Sequence, residues 1–287
     1  MGIRNLNKYF RQNCKKKSIQ KKHISYLRNK TIVIDTSIYL YKFTSQNALE
    51  KNFRLMVQLF QKYNIIPIFV FDGKPPLEKM DELRKRKCIK DEAEKKYILL
   101  QEQLEINNDE EKIALMKEME KLKSQFVKIS EKDVRFVKSI LDEANISYIN
   151  AEGEADKECA SIMIKNNCFG CMSDDMDMFV YGCSNIIRHL SIVNETVLIY
   201  NLSEILKDLN MSFTIFKQIC ILSGTDYNIH DNNSLIETIR WYREFKKSII
   251  ELDHPYCFYN WLWKNTKYIK NYNNLINIHC LFNIENL

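Results

Sequence analysis

Hydrophobic and polar positions along the chain follow two regimes. Thr31–Asp35 (TIVID) and 65–71 (IIPIFVF) are short, apolar and rich in β-branched residues, as strands buried on both faces of a parallel sheet are. Between them, residues 49–63 put Leu55, Met56, Leu59 and Phe60 on one helical face, which completes a right-handed strand–helix–strand unit. The rhythm resumes after residue 130. A helix is expected at 131–144, a strand at 146–149 (ISYI), a helix from Glu154 to about Asn166 and a strand at 168–173. A hairpin follows at 185–190 and 196–200, then a helix at 213–223 behind Ser212, a good N-cap. Residues 228–287, with WYREF and YCFYNWLW, read as helical and aromatic, and no internal repeat occurs. The expected fold is α/β, with a central, mostly parallel twisted sheet flanked by helices.

Residues 78–132 interrupt this rhythm. They are rich in Lys, Glu and Gln, contain no Gly or Pro, and predict long solvent-facing helices with i,i+4 charge pairs, broken at Asn107-Asn108-Asp109. The whole chain is 45% hydrophobic and 28% charged, an ordinary folded composition, and 6 Gly and 4 Pro argue against a long flexible linker. No apolar run reaches the ~18 residues that suggest a membrane span. The start, MGIRNLNKYF, has no stretch suited to a secretory signal. Nine scattered cysteines read as reduced thiols of an intracellular protein. Cys168 and Cys171 form a CxxC with no second pair at zinc-finger spacing, so they are expected to be half-buried strand thiols.

The net charge of +6 is unevenly spread. Residues 1–30 carry ten Lys or Arg and no acid, leaving 33 basic against 37 acidic residues elsewhere. This arm, with Lys15, Lys16, Lys17, Lys21 and Lys22, suits three roles: a phosphate-binding footprint, a solvated loop or a localisation signal.

The acids give the sharpest signal. Asp35 and Asp72 each follow a predicted buried strand, Glu154 and Asp156 sit at a strand-to-helix junction, and Asp175 and Asp177 follow another strand. Asp226 follows a helix at a Gly-Thr-Asp turn. Strand C-termini of a parallel sheet share one edge, where ligands bind, so seven acids would converge on one cleft. Converging carboxylates raise one another's pKa unless cations neutralise them, and an all-oxygen set favours Mg²⁺ or Mn²⁺ over Zn²⁺. Two such ions roughly 4 Å apart suit in-line phosphodiester hydrolysis. Any one of these acids taken alone reads as a helix cap or a surface charge.

With these residues in view, the chain resembles the flap endonuclease/XPG family of structure-specific 5′ nucleases. MGIRNL, IDTSIYLY, FVFDGKPP, EGEADKECA, SDDMDMFVYG and LSGTDY occur in family order between residue 1 and about residue 227. The resemblance implies a PIN-like 5′ nuclease core over 1–227, with 78–132 as a helical arch that threads or clamps a single-stranded 5′ end. It implies two Mg²⁺ (or Mn²⁺) ions held by Asp35, Asp72, Glu154, Asp156, Asp175, Asp177 and Asp226; the neighbouring acids Glu152 and Asp174, which the resemblance does not place as ligands, read as supporting them. Lys79 and Arg86 match the family's basic pair on the first arch helix and, with Asp177, are carried over as catalytic. Tyr41 matches the aromatic on which a base beside the scissile bond stacks, although a core tyrosine fits it nearly as well. Gly2 would lie near the branch point, and Gly224 would let the backbone approach DNA.

The chain departs from the family after LSGTDY. NIHDNNSLIETIRWYREF replaces the glycine-rich hairpin that binds duplex phosphates and a monovalent cation, so 228–287 is expected to be a helical extension with a remodelled or lost helix-hairpin-helix. A sliding-clamp motif is also missing, and the pattern resembles a reduced or viral-type member. The implied activity is two-metal hydrolysis of DNA carrying a 5′ flap, nick, branch or recessed end. The implied setting is replication, repair or recombination, by a monomer working in the nucleus or at a viral replication site. An RNA-directed 5′ exonuclease and a non-catalytic recombination scaffold are the competing readings; a degenerate scaffold should have lost acids, and none of the seven is missing.

Overall fold

The computed structural model describes residues 2–104, 109–228, 233–248 and 256–284. Its sheet has, among the described residues, seven strands: β1 (Ile19–His23), β2 (Thr31–Asp35), β3 (Ile66–Phe71), β4 (Tyr148–Asn150), β5 (Gly170–Met172), β6 (Asn185–Ser191) and β7 (Thr196–Asn201). Their order is β1-β7-β6-β5-β2-β3-β4. The run β6-β5-β2-β3-β4 is parallel throughout, whereas β7 and β1 add an antiparallel edge. The chain winds outward from β2 to β4 on one side and restarts beside β2 with β5. The switch point therefore lies between β2 and β5, where Asp35 and Asp175 emerge.

Period-two alternation divides the core between the two faces. Val33, Val70, Cys171 and Ile186 join one apolar cluster; their neighbours Ile32, Ile34, Phe69, Met172 and Ile187 join the other. The second cluster is closed by α2 (Thr36–Ser45), α3 (Leu49–Lys62) and α6 (Glu131–Glu143). The first is closed by α1 (Leu6–Asn13), α7 (Ala155–Lys165), α8 (Leu202–Leu209) and α9 (Phe213–Leu222). It continues without a break into α10 (Leu235–Phe245), α11 (Cys257–Asn265) and α12 (Tyr272–Leu281), so the C-terminal helices share one core with the sheet. No helix is long and apolar enough to cross a membrane among the described residues.

The insertion forms a helical hairpin, α4 (Met80–Leu104) and α5 (Asp109–Lys123). Asn107 and Asn108 of the expected break lie outside the described residues, and Asp109 opens α5. The hairpin has only a small apolar seam of its own, built on Ala93, Leu100, Met119 and Leu122.

Several elements differ from expectation. β4 starts two residues late because Asn145 turns the chain in the left-handed region (φ 53) and the Ile146 amide still bonds back to Leu141 O at 2.9 Å, closing α6. β5 starts late for the same reason, with Asn167 at φ 47 and the Cys168 amide on Met163 O at 3.0 Å. Cys168 and Cys171 are fully buried free thiols rather than half-buried ones. The basic arm is partly structured: α1 buries Leu6 and Phe10, and β1 pairs with β7 from Ile19↔Tyr200 to His23↔Thr196, while Lys15, Lys16 and Lys17 lie exposed in the turn between them. That register sends Lys15, Lys16 and Lys17 to the edge opposite the strand-end acids, where Asp208 takes the Lys15 amide (2.7 Å) and Glu204 takes Lys17 Nζ (3.2 Å).

Candidate functional site

The seven acids meet at the C-terminal edge of the parallel strands, each delivered by a different local device. Asp35 ends β2 and caps α2, accepting from the Ser37 amide (3.1 Å), while Ser173 Oγ donates to its other oxygen (3.2 Å). Asp72 follows β3; its Oδ1 accepts the amide of Ala155, the first residue of α7 (2.8 Å), and its Oδ2 accepts from Ser37 Oγ. One serine therefore ties two acids together. Asp175 and Asp177 follow β5 in a tight turn in which the Asp175 amide donates to Ser173 Oγ (3.1 Å) and the Asp177 amide to Asp175 Oδ1 (2.9 Å). Glu154 and Asp156 open α7, and Asp226 follows α9.

The electrostatics follow from crowding in a dry place. Burial, then Asp72 and Asp175, pushes the Asp35 carboxyl up to about 7. Burial also lifts Asp175, and it lifts Asp156 and Asp177 well above the usual carboxylate range; the like charges of Asp35 and Asp175 then add to Asp156, and those of Asp175 and Asp226 to Asp177. One oxygen each of Asp156 and Asp177 is buried with no hydrogen-bond partner. An orphaned carboxylate oxygen is costly unless a cation completes it. Among the described residues, no three acidic, His or Cys side chains close around one point as a finished metal cage. The set is instead an open ring of oxygen donors whose unsatisfied members fit hard divalent cations.

The first turns of α4 and the short 3-10 turn before it, Leu77–Lys79, lie across this ring, so Arg86 is on the arch helix while Lys79 precedes it. Lys79 Nζ donates to Glu154 and lies 3.1 Å from Asp226 Oδ2, and Arg86 Nη2 donates to the same Asp226 oxygen at 2.7 Å. Burial opposes the charge on Lys79, but Asp226 and Glu154 outweigh it and hold the ammonium well above its ordinary value. On one side of α4 is a cleft of about 240 Å³ with Tyr41, Asp72 and Lys79 in its wall. On the other is a cavity of about 840 Å³ with Gly2, Arg4, Lys85 and Gly224. Asp226 and Arg86 belong to both.

The remaining residues singled out in the sequence fall as follows. Tyr41 is 44% exposed at the mouth of the smaller cleft, with Lys90 Nζ 4.8 Å above its ring, so it is not a core tyrosine. Gly2, at φ 71, lies so close to Asp175 and Asp177 that any Cβ would collide with their carboxylates. Gly224, at φ 100, has open space where a side chain would point. Asp174 turns away from the ring: its Oδ1 accepts the His189 amide (2.9 Å) and its carbonyl accepts from Arg188 (2.7 Å), which fastens the acid-bearing turn to β6. Glu152 is exposed and lines a third cavity, outside the ring. The sequence reading missed the hydroxyls that orient the acids, those of Ser37, Ser173 and Tyr227. The available signal was position: Ser37 and Ser173 each lie two residues from a strand-end acid, and Tyr227 adjoins Asp226.

Comparison with known proteins defines the class. The XPG N-terminal domain profile matches residues 1–93 and the XPG I-region profile matches residues 145–226. Flap endonuclease 1 of Methanococcus aeolicus is 31% identical over 230 residues, 74% of this chain and 68% of that protein. Flap endonuclease 1 of Glycine max is 32% identical over 79% of this chain and 62% of its own length, and a probable RAD2-like endonuclease of Invertebrate iridescent virus 6 is 28% identical over 86% and 71%. Among solved structures, the catalytic core of Rad2 in complex with DNA substrate superposes with a TM-score of 0.62 at 20% identity, covering 100% of this chain and 82% of that one. Flap endonuclease-1 from Methanococcus jannaschii gives 0.58 at 21% identity, over 91% and 82%. The fold is that of the structure-specific 5′ nucleases. The chain belongs to the flap endonuclease/XPG family, and it spans about three fifths of the length of the plant relatives it matches.

Proposed function

We propose that this protein is a structure-specific 5′ nuclease that hydrolyses DNA phosphodiester bonds with two divalent metal ions, cutting 5′ flaps endonucleolytically and recessed 5′ ends exonucleolytically. The observation that carries this reading is the ring of seven acids with buried, unpartnered oxygens on Asp156 and Asp177, overlain by Lys79 and Arg86. Asp35, Asp72, Glu154, Asp156, Asp175, Asp177 and Asp226 would hold Mg²⁺ or Mn²⁺. Bound there, the ions supply an activated water and neutralise the oxygen that leaves.

The chain's own groups do the rest. Gly2 keeps a side chain out of the space above Asp175 and Asp177. Lys79 and Arg86 exchange their carboxylate partners for the scissile phosphate as negative charge develops on it, which stabilises the transition state more than the bound substrate. Tyr41, half-exposed at the mouth of the smaller cleft, offers a ring face to a base next to the cut. The larger cavity, with Arg4, Lys85 and Gly224, suits duplex phosphates, and the helical hairpin suits the single-stranded 5′ end.

The deciding assay is single-turnover cleavage of labelled 5′-flap DNA, nicked DNA, single-stranded DNA and RNA, each with Mg²⁺ and with chelator. Mg²⁺-dependent cutting of the flap to leave a 5′-phosphate is expected. Preference for RNA, or inertness on all four, would overturn the reading.

A further inference from the structure

Glu154 is held by groups distant in the chain. As the residue before α7 it makes no capping bond to its own helix, so nothing local fixes its carboxylate. Both of its contacts come from elsewhere: Lys79 Nζ donates to Oε1 and the Tyr227 hydroxyl donates to Oε2. Lys79 is shared with Asp226 and, under the function proposed above, turns to the scissile phosphate. Among the described residues, Tyr227 is then the donor left on Glu154.

The hydroxyl is not there for lack of alternatives. Tyr227 and Glu154 both line a cavity of about 620 Å³ on the side of Glu154 away from Asp35 and Asp175, roomy enough for water to satisfy a phenol. Tyr227 points at the carboxylate nonetheless. A phenol is suited to that task, because it orients one oxygen without cancelling the charge, which an ammonium partly would.

Tyr227 is itself held from the C-terminal helices. The Phe282 ring lies edge-on to Tyr227 at 5.4 Å and against Tyr181 at 4.9 Å. Phe282 caps α12, is 1% exposed, and has its carbonyl held by Lys217 Nζ at 2.9 Å. The turn before Tyr227 is locked by Asn228, which accepts the Thr225 amide (2.6 Å) and donates to Ile221 O (2.9 Å).

We propose that Tyr227 is a positioning residue for Glu154, and that the C-terminal extension, through Phe282, sets its hydroxyl and so tunes the metal affinity of the active site. The proposal rests on the nuclease reading only for the use of that affinity. The extension thereby contributes to the chemistry from outside the carboxylate edge.

The test measures Mn²⁺ binding directly by electron paramagnetic resonance on the full chain, beside thermal melting and single-turnover flap cleavage as a function of Mg²⁺. Tyr227→Phe should weaken Mn²⁺ binding about tenfold, the scale of losing one outer hydrogen bond to a metal ligand. It should raise the Mg²⁺ needed for half-maximal cleavage equally, with little change in melting. Phe282→Ala should shift both in the same direction and Phe282→Tyr should restore them. In a Glu154→Gln background Tyr227→Phe should add nothing. Parental Mn²⁺ affinity in Tyr227→Phe, with or without lowered melting, overturns the proposal while leaving the nuclease reading intact. Weakened Mn²⁺ binding in a protein whose parent cuts no nucleic acid would support the positioning role and overturn the nuclease reading instead. If Phe282→Ala does not fold, Tyr227→Phe, which removes a single oxygen, still decides.

Discussion

The two ends of α4 are held by unlike forces. At its base, in the turn that enters the helix, Lys79 is 9% exposed and, with Arg86, ion-paired to Glu154 and Asp226 at the ends of α7 and α9. Along the rest of the hairpin, among the described residues, only Ala93, Leu100, Met119 and Leu122 are buried, while Ile98, Leu99, Ile113 and Met116 face solvent. Charge fixes the base to a packed core, whereas a thin apolar seam holds α4 to α5. Removing one partner of a buried ion pair costs about 3–5 kcal/mol, so the base is the stronger anchor. Opening the seam need not disturb the sheet. A strand end could thus pass beneath a hairpin that adapts, over a base that stays registered on the acids.

Substitutions can break this contrast from the base outward. The largest effect should come from the acid ring itself. Asp177→Asn removes a donor whose Oδ1 is buried without a partner, and should lower single-turnover cleavage by about 10³-fold or more while flap-DNA affinity persists. Cleavage at the parental rate would detach Asp177 from the chemistry. Next come the cations of the base. Lys79→Ala and Arg86→Ala should each slow the cleavage step by about 10²–10³-fold with much smaller losses in binding. Lys85 and Lys87, about 100° to either side of Arg86 on the helix, serve as controls that should lose modest affinity only. If all four behave alike, the base is merely a basic clamp.

Acid crowding gives a smaller, signed effect. Asp35 has a folded pKa of about 7 against 3.8, so the metal-free native state binds more protons than the unfolded chain between these values. Its contribution to stability is therefore present below about pH 4 and is lost as pH rises towards 7. The melting temperature of the metal-free parent, relative to Asp35→Asn, should fall from pH 4 to pH 7, and Mg²⁺ should offset the fall most at the upper end. A flat difference would mean that the carboxyl is not crowded as described. The smallest global effect belongs to the seam. Leu100→Ala should leave the main melting transition within about 1 kcal/mol of the parent, yet speed amide exchange along α4 and α5. Exchange that stays slow would show that the hairpin is anchored more firmly than its seam allows.

Where the sequence was legible, one element sufficed. A β-branched run that ends in an acid reveals both the strand and its place at the sheet edge, so Asp35 and Asp72 could be read residue by residue. What escaped depended on partners distant in the chain. Ser37 bonds to Asp72, Tyr227 to Glu154, and Lys79 to Asp226, contacts that no local pattern encodes. In the basic arm, ten cations drew notice from Leu6, Phe10 and the pairing of β1, which β7 completes. Tyr41 was ambiguous because α2 buries residues all around it: Ile38, Tyr39, Leu40 and Phe43. Only the packed helix shows which aromatic faces outward.

The pairing of Ile19 with Tyr200 also orders events in time. At about 5–20 residues per second, a ribosome that has released β1 needs on the order of ten seconds or more to deliver β7. Through that interval the first segment made has no strand to join, and closing so long a loop is slow even afterwards. The N-terminal segment should therefore be the last to dock, bringing Gly2 to the acids only when the rest of the sheet is in place. Until it arrives, β7 is an open edge, and a nascent or truncated chain without residues 19–23 would present that edge to its neighbours as a template for aggregation.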